Sequence, residues 1–546
     1  MVRPNRFRIL IATVLLIVVE IFVWVMYRGP SPVGNTPTSE NGGTLFSAEN
    51  AIELHKTLLP PAPHPSGSPE NIQTRERIAE WLVARGWTVE IQTTTRPSQH
   101  PEFNRIANIV AHRPEHDGLN ATPVVLSTHY DSCQFGPGAG DAGGCVVAVL
   151  EASQCLINQN LSFQRPLWLL ITDGEEDGLF GAQMFVQEHP LSQRKPYVLN
   201  FDARGNSGPV VMYETHARNL TAINSWISHI AAPRVTGSPF TAIYRSMPNG
   251  TDFSVFSDFG WSGMNFAVID GAHHYHRPTD TVENLSHRSV QQFGNQITSL
   301  VPVIATTTSE LPAAGDDAVF FDLIGTIVIR YPMRASAPLA LAILAVTFVV
   351  HWRRLRTQPR VGTAFAALVA TALLNVTVSA ALGWALTRFL QETRLLPVPY
   401  VFWGHYLSLL IFAVIFGTNL VTGRWILRRF SMEQLWTSQA LGGSLLAVIA
   451  AFLIPDFSHL FAIPMLVHVV LTILRTNEFA RGLGFLLGFS VMVVPVQHLI
   501  SVALGPAAGL VMGVVYSTTS LAMLSMMGSP ELGRRVAHNE ILVMRG

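Results

Sequence analysis

The stretch 167-LWLLITDGEEDGLFGA-182 decides the fold. It starts as an apolar, β-prone run and breaks into acidic and glycine residues, as a buried strand does where its C-terminal end opens into a loop. The stretches 124-VVLSTHYDS-132 and 197-YVLNFDARG-205 repeat the design, with His129 and Asp202 at or just beyond the ends of their runs. Three such strands predict an α/β fold, a mixed, largely parallel sheet sandwiched by helices. In open sheets of this kind the ligand crevice lies beyond the carboxyl ends of the strands.

Two further motifs extend the pattern, GPGAGDAGG (136–144) with Asp141 and YHRPTDT (275–281) with His276. Singly, each polar residue has an ordinary reading: a hydrogen-bonded histidine, a turn aspartate or helix N-cap, a solvated glutamate pair. Together, His129, Asp141, Glu176, Asp202 and His276 are the imidazole and carboxylate donors that zinc accepts. Two zinc ions about 3.5 to 4 Å apart can clamp the attacking and departing oxygens of a hydrolysis. One carboxylate must then bridge them, and Asp141 suits, because the glycines around it let the backbone come close. His129 and Asp202 fall to one ion, Glu176 and His276 to the other. Adjacent glutamates point in different directions, so Glu175 is expected to be the general base, acting on a water whose pKa zinc lowers toward about 7. Asp131, two residues beyond His129, is a candidate to orient that imidazole and support catalysis; on spacing alone it is equally a turn carboxylate.

The strings HYDS, GAGDAGG, TDGEEDGLFGA, NFDARGNSGPVVMYET and YHRPTDTVENL resemble the dizinc exopeptidases that include bacterial leucyl aminopeptidases, aminopeptidase Y and glutamate carboxypeptidases. The resemblance covers about residues 47–305, including HPSGSPEN (64–71) and a helix-like RERIAEWLVARGW (75–87). Within that family the continuation ARGNSGPVVMYET and the membrane-spanning half are most similar to the branch of endoplasmic reticulum metallopeptidase and vacuolar membrane protease. The resemblance implies the same five ligands, Glu175 as base, two Zn2+ ions per chain, a hydroxide between them as nucleophile and a peptide substrate. One departure is visible: Gly140 and Ala142 flank Asp141 where the family commonly has acidic or amide residues, removing hydrogen bonds that support the bridge. An aminopeptidase needs an acidic group for the substrate ammonium, for which Glu214 and Asp252 are candidates; a carboxypeptidase needs arginine, for which Arg204 and Arg245 are. The aminopeptidase reading is preferred on family grounds. The alternatives are a single-zinc glutaminyl cyclase and a non-catalytic peptide-binding or scaffold protein; an intact ligand set argues against the latter.

With 49% hydrophobic and 13% charged residues in 546, the chain is too apolar for an ordinary soluble enzyme. Residues 1–29 read as a cytoplasmic N-terminus and uncleaved anchor, 30–46 as a flexible linker, and 47–310 as an extracytoplasmic zinc exopeptidase domain. Residues 311–336 read as a connecting or interfacial segment, 337–528 as a transmembrane bundle of about seven helices, and 529–546 as a cytoplasmic tail. The seven spans are expected near 337–352, 362–386, 400–421, 436–454, 457–475, 482–502 and 507–527. Arginine-rich loops such as HWRRLRTQPR and GRWILRRF put the enzyme outside by the positive-inside rule, and a bacterial plasma membrane is the expected location, with the endoplasmic reticulum or vacuolar membrane the eukaryotic counterpart. The segment FFDLIGTIVIRYP (320–332) is too punctuated to be a confident span and is read as interfacial or re-entrant. His405, His468 and His498 sit inside spans, where packing is the plainer reading than a proton relay. Only Cys133, Cys145 and Cys155 occur; a Cys133–Cys145 disulfide and free thiols are both open. Zero net charge without a basic run outside the membrane loops gives no support for nucleic acid as a partner, and the expected partners are a peptide and the lipid bilayer.

Overall fold

Strand pairing runs β1–β2–β4–β3–β5–β7–β6 across a seven-stranded sheet. The strands are β1 (Thr88–Thr95), β2 (Arg105–His112), β3 (Val124–His129), β4 (Leu167–Thr172), β5 (Tyr197–Ala203), β6 (Val211–Thr215) and β7 (Ser262–Val268). The central four, β4, β3, β5 and β7, are mutually parallel, while the marginal pairings β1–β2, β2–β4 and β6–β7 are antiparallel. The computed structural model describes residues 45–95, 105–245, 250–307, 315–323, 327–357, 360–393 and 425–504, with isolated positions between these stretches. These fall into two compact units, a sheet unit (45–318 with 327–330) and a helical unit (319–323 with 331–504).

Side-chain alternation assigns the faces of the sheet. Val110, Val125, Leu170 and Val198 pack on one face against α4 (Phe180–Glu188) and α7 (Asp252–Asp258), in a cluster with Phe185, Phe253, Phe256 and Trp261. Their neighbours Ile109, Leu126, Leu169 and Leu199, all fully buried, alternate to the opposite face. There the helices are α1 (Ala48–Leu58), α3 (Cys145–Asn158) and α8 (His287–Ala305), which pack on one another.

The first helices begin where their caps dictate. Ser47 accepts the backbone N–H of Asn50 at the head of α1, and Ser68 accepts that of Asn71 at the head of α2 (Pro69–Val83). The helix expected over RERIAEWLVARGW therefore starts six residues earlier, since Ser68-Pro69 supplies both cap and first-turn proline. It stops at Val83, ahead of the turn at Gly86 (φ +79°). The remaining sheet-unit helices are α5 (Leu220–His229) and α6 (Ser238–Arg245).

The segment FFDLIGTIVIRYP contains two short strands, β8 (Ala318–Leu323) and β9 (Ile327–Pro332), so it is not a helical span. In the helical unit, α9 (Ser336–Thr357), α10 (Val361–Thr393), α11 (Met432–Leu453), α12 (Ser458–Ile473) and α13 (Glu478–Leu504) cover five of the seven expected spans. By length and composition, Met333–Thr357, Val361–Leu382, Met432–Leu453 and Pro455–Ile473 are each able to cross a membrane. Ala139–Asn158 is also long and apolar enough, but it is packed inside the sheet unit, where core burial accounts for its composition. The spans expected at the N-terminus, at 400–421 and at 507–527, together with His405, lie largely outside the described residues. His468 is buried and stacks on Trp436 with centroids 4.8 Å apart, as a packing histidine does.

Phe256 lies flat on Trp261, centroids 4.8 Å apart, at the centre of the cluster under the parallel strands. Phe256→Ala is expected to cost about 3–5 kcal/mol and to lower the melting temperature of the sheet unit by near-ultraviolet circular dichroism. Ser68→Ala, which removes one cap, is expected to cost only about 1 kcal/mol.

Candidate active site

Strand register brings the polar ends together. β3 pairs with β4 so that His129 stands opposite Thr172, and with β5 so that Ser127 stands opposite Asn200. Two residues further on, Asp202 is level with His129, and the Gly174–Gly178 turn that carries Glu175 and Glu176 begins one residue beyond Asp173. His129 Nε2 lies 3.4 Å from Asp141 Oδ1 and 3.4 Å from Asp202 Oδ1. His276 Nε2 lies 3.3 Å from Asp141 Oδ2 and 2.8 Å from Glu176 Oε2. The two oxygens of Asp141 thus face two different histidines.

The geometry fits bound cations better than hydrogen bonds. His129 Nε2 and His276 Nε2 are enclosed and make no well-directed hydrogen bond among the described residues despite neighbours at 2.8–3.4 Å, and Glu176 Oε1 is enclosed without one as well. Buried polar atoms are rarely left so. Two groups of donor atoms each lie within 4.8 Å of one another: His129, Asp141 and Asp202, and Cys133, Glu176 and His276. Imidazole with carboxylate is a zinc donor set, and thiolate is compatible with it.

Neighbouring groups hold these side chains from behind. The two carboxylate oxygens of Asp131 accept the backbone N–H groups of Glu175 and Glu176, both at 3.2 Å, while its carbonyl oxygen lies 3.1 Å from His129 Nδ1. Its carboxylate therefore fixes the glutamate turn, and its backbone orients the imidazole. Asp280, in the motif of His276, accepts the N–H groups of Gly140 at 2.8 Å and Asp141 at 3.2 Å. This replaces the support that Gly140 and Ala142 cannot give. Gly140 is required by space, since a Cβ there would stand 2.9 Å from the Gly205 carbonyl oxygen. Gly136 is required likewise, because a Cβ would run into the backbone of Arg277, next to His276. Asp173 is wholly buried and ties the turn to the sheet through Ala107 N at 2.9 Å and to α2 through Asn71 Nδ2 at 3.1 Å.

Crowding of carboxylates sets the electrostatics. Burial opposes charge on His129, but Asp131, Asp141 and Asp202 outweigh it and hold the imidazole well above its usual pKa. Burial is likewise outweighed at His276, which Asp141 and Glu176 raise to about 10, and at Asp141, which His129 and His276 lower to about 2. Glu176 is pushed up to about 8 by burial and by Asp141, and burial drives Glu175 well above the carboxylate range. Burial raises Asp173 and Asp252 to about 7 each.

The other candidates fall less directly on the site. Glu214 is buried and accepts from Asn265 Nδ2 at 3.2 Å, and Asp252 is buried with an oxygen on the Thr172 hydroxyl. Both carboxylates are therefore enclosed rather than open to solvent. The Arg204 guanidinium lies 5.9 Å from the Tyr275 ring, which stacks on His276, and Arg245 donates to the Thr215 carbonyl. All three cysteines are free thiols. Asp280, Asp173 and the placement of Cys133 beside Glu176 are additions to the sequence reading. Asp280 and Asp173 lie within quoted motifs, but only the fold shows which N–H groups they receive.

Residues 108–301 match peptidase family M28. The chain is 25% identical over 319 residues to human endoplasmic reticulum metallopeptidase 1, covering 54% of this chain and 34% of that protein. It is 30% identical over 237 residues to the vacuolar membrane protease of Leptosphaeria maculans, covering 43% of this chain and 28% of that one. The chain thus spans about a third or less of the length of these relatives. Among solved structures it resembles an aminopeptidase from Aneurinibacillus sp. strain AM-1, at 13% identity and TM-score 0.40 over 51% of this chain and 100% of that one. A Porphyromonas gingivalis glutaminyl cyclase gives 16% identity and TM-score 0.38 over 47% and 98%. The M28 match includes His129, Asp141, Glu175, Glu176, Asp202 and His276.

Asp280→Ala would strand two buried N–H donors beside Asp141. It is expected to cost about 1–3 kcal/mol in chelator-treated protein, read as a lower melting temperature, with Asp280→Asn intermediate.

Proposed function

We propose that this chain is a membrane-anchored, zinc-dependent exopeptidase that removes residues from the amino ends of peptides. The observation that carries the reading is the position of Asp141, one carboxylate whose two oxygens face His129 and His276 on opposite sides. His129 and Asp202 would hold one ion, Glu176 and His276 the other, and Asp141 both. Bound there, zinc would supply Lewis acidity toward the scissile carbonyl.

The protein's own groups would perform the proton transfers. Glu175, on a turn fixed by Asp131, takes a proton from the attacking water and gives it to the departing amine. Its enclosure favours that role, because a buried carboxyl binds a proton more readily than an exposed one. The excess of carboxylates, with Glu214 and Asp252 behind the pocket, favours a substrate bearing a free ammonium over one bearing a carboxylate. Of the candidates for holding a carboxylate, Arg245 already donates to the Thr215 carbonyl. Apolar helices and arginine-bearing turns support a multi-pass protein with the peptidase on the extracytoplasmic side of a bacterial plasma membrane.

Purified full-length protein is expected to hydrolyse aminoacyl chromogenic substrates in a chelator-sensitive way and to spare N-terminally blocked ones; release of C-terminal residues from blocked peptides would reverse the polarity. Glu175→Gln is expected to retain both zinc ions and lose at least about a hundredfold in kcat. Wild-type turnover in that variant would remove Glu175 from the mechanism. His276→Ala is expected to lower the zinc content of the purified protein by one ion per chain, and an unchanged content would contradict its assignment.

A further inference from the structure

The six residues of the reading above leave one donor beside the site unused. Cys133 lies four residues beyond His129, in the loop that leads from β3 to Asp141, and its Sγ falls within 4.8 Å of donor atoms of both Glu176 and His276. The Glu176 side chain is nine-tenths buried, with one oxygen on His276 at 2.8 Å and the other, Oε1, enclosed without a hydrogen-bond partner. Cys133 is not consumed by a disulfide. A thiol, a carboxylate and an imidazole from three separate loops therefore converge on one point, and Asp141 Oδ2 borders it, 3.3 Å from His276 Nε2.

We propose that Cys133 is a fourth protein donor to the ion held by Glu176, His276 and Asp141. The Sγ–metal bond forms as the thiol loses its proton to solvent, and no oxidant or reductant takes part. Four protein donors close a tetrahedral zinc site, whereas three leave a position open for reacting groups. The two ions then differ in kind. The ion bearing Cys133 would be retained more tightly than the one among His129, Asp202 and Asp141, and would select softer metals over magnesium or manganese. This inference rests on the two-ion reading and deepens it.

Cobalt substitution of the full-length protein in detergent separates the two ideas. Co(II) bound through a thiolate gives an intense near-ultraviolet charge-transfer band, distinct from the visible d–d bands that any tetrahedral or five-coordinate cobalt shows. The expected result is both sets of bands in the native sequence, and loss of the charge-transfer band alone in Cys133→Ser. Zinc release to a chromogenic chelator is expected to become at least about tenfold faster for one of the two ions in that variant, the scale on which groups tuning metal sites act. Visible bands without charge transfer, or a charge-transfer band surviving Cys133→Ser and so belonging to another thiol such as Cys145, overturn the proposal while leaving the metal site standing. Absence of all cobalt bands from folded protein overturns the two-ion reading itself, and this inference with it.

Discussion

A buried concentration of carboxylates needs positive charge, and this need organises the sheet unit. Asp131, Asp141, Asp202, Glu175, Glu176 and Asp252 come from five separate segments into one region, where His129 and His276 lie against Asp141 and its neighbours. The crowding favours protons on these groups: neighbouring carboxylates raise His129 and His276, and burial drives Glu175 and Glu176 upward. Metal ions bound there would neutralise the same charge with better directed bonds. Ion and proton thus compete for the same lone pairs, which is the usual coupling of a metal site to pH.

The architecture serves that concentration. Parallel strands β3, β4 and β5 end at one level, so their terminal polar residues meet without any change of direction in the chain. The remaining pieces arrive on loops, and loops need fastening. Asp131 fastens the glutamate turn, Asp280 fastens the backbone at Asp141, and glycines at 136 and 140 admit backbone from the opposing loops. His276 itself adopts a left-handed conformation (φ 55°), sparsely populated for a residue with a side chain. The packing of Arg277 against Gly136 accompanies it.

Much of this was legible in the chain because strand ends and donor types are local features. LWLLIT, VVLSTH and YVLNFDA read directly as buried strands, and the five donors followed from their chemistry and order. What stayed hidden depended on contacts between distant segments. Asp280 appears in sequence only as a loop aspartate, and nothing near it announces that it receives two N–H groups from residues 140 positions away. Glu214 and Asp252 are candidate substrate contacts by their acidity, and only the fold shows the partner each has inside the protein. Segment 320–332 was ambiguous for a related reason, since short β-branched runs serve an interfacial segment and a pair of strands equally well.

The central claim is that two cations share Asp141. Diffraction data from crystals of the full-length protein, collected on both sides of the zinc absorption edge, test it most directly. Two anomalous peaks are predicted, one among His129, Asp202 and Asp141 and the other among Glu176, His276 and Asp141. A single peak, or none in zinc-replete crystals, would contradict the account.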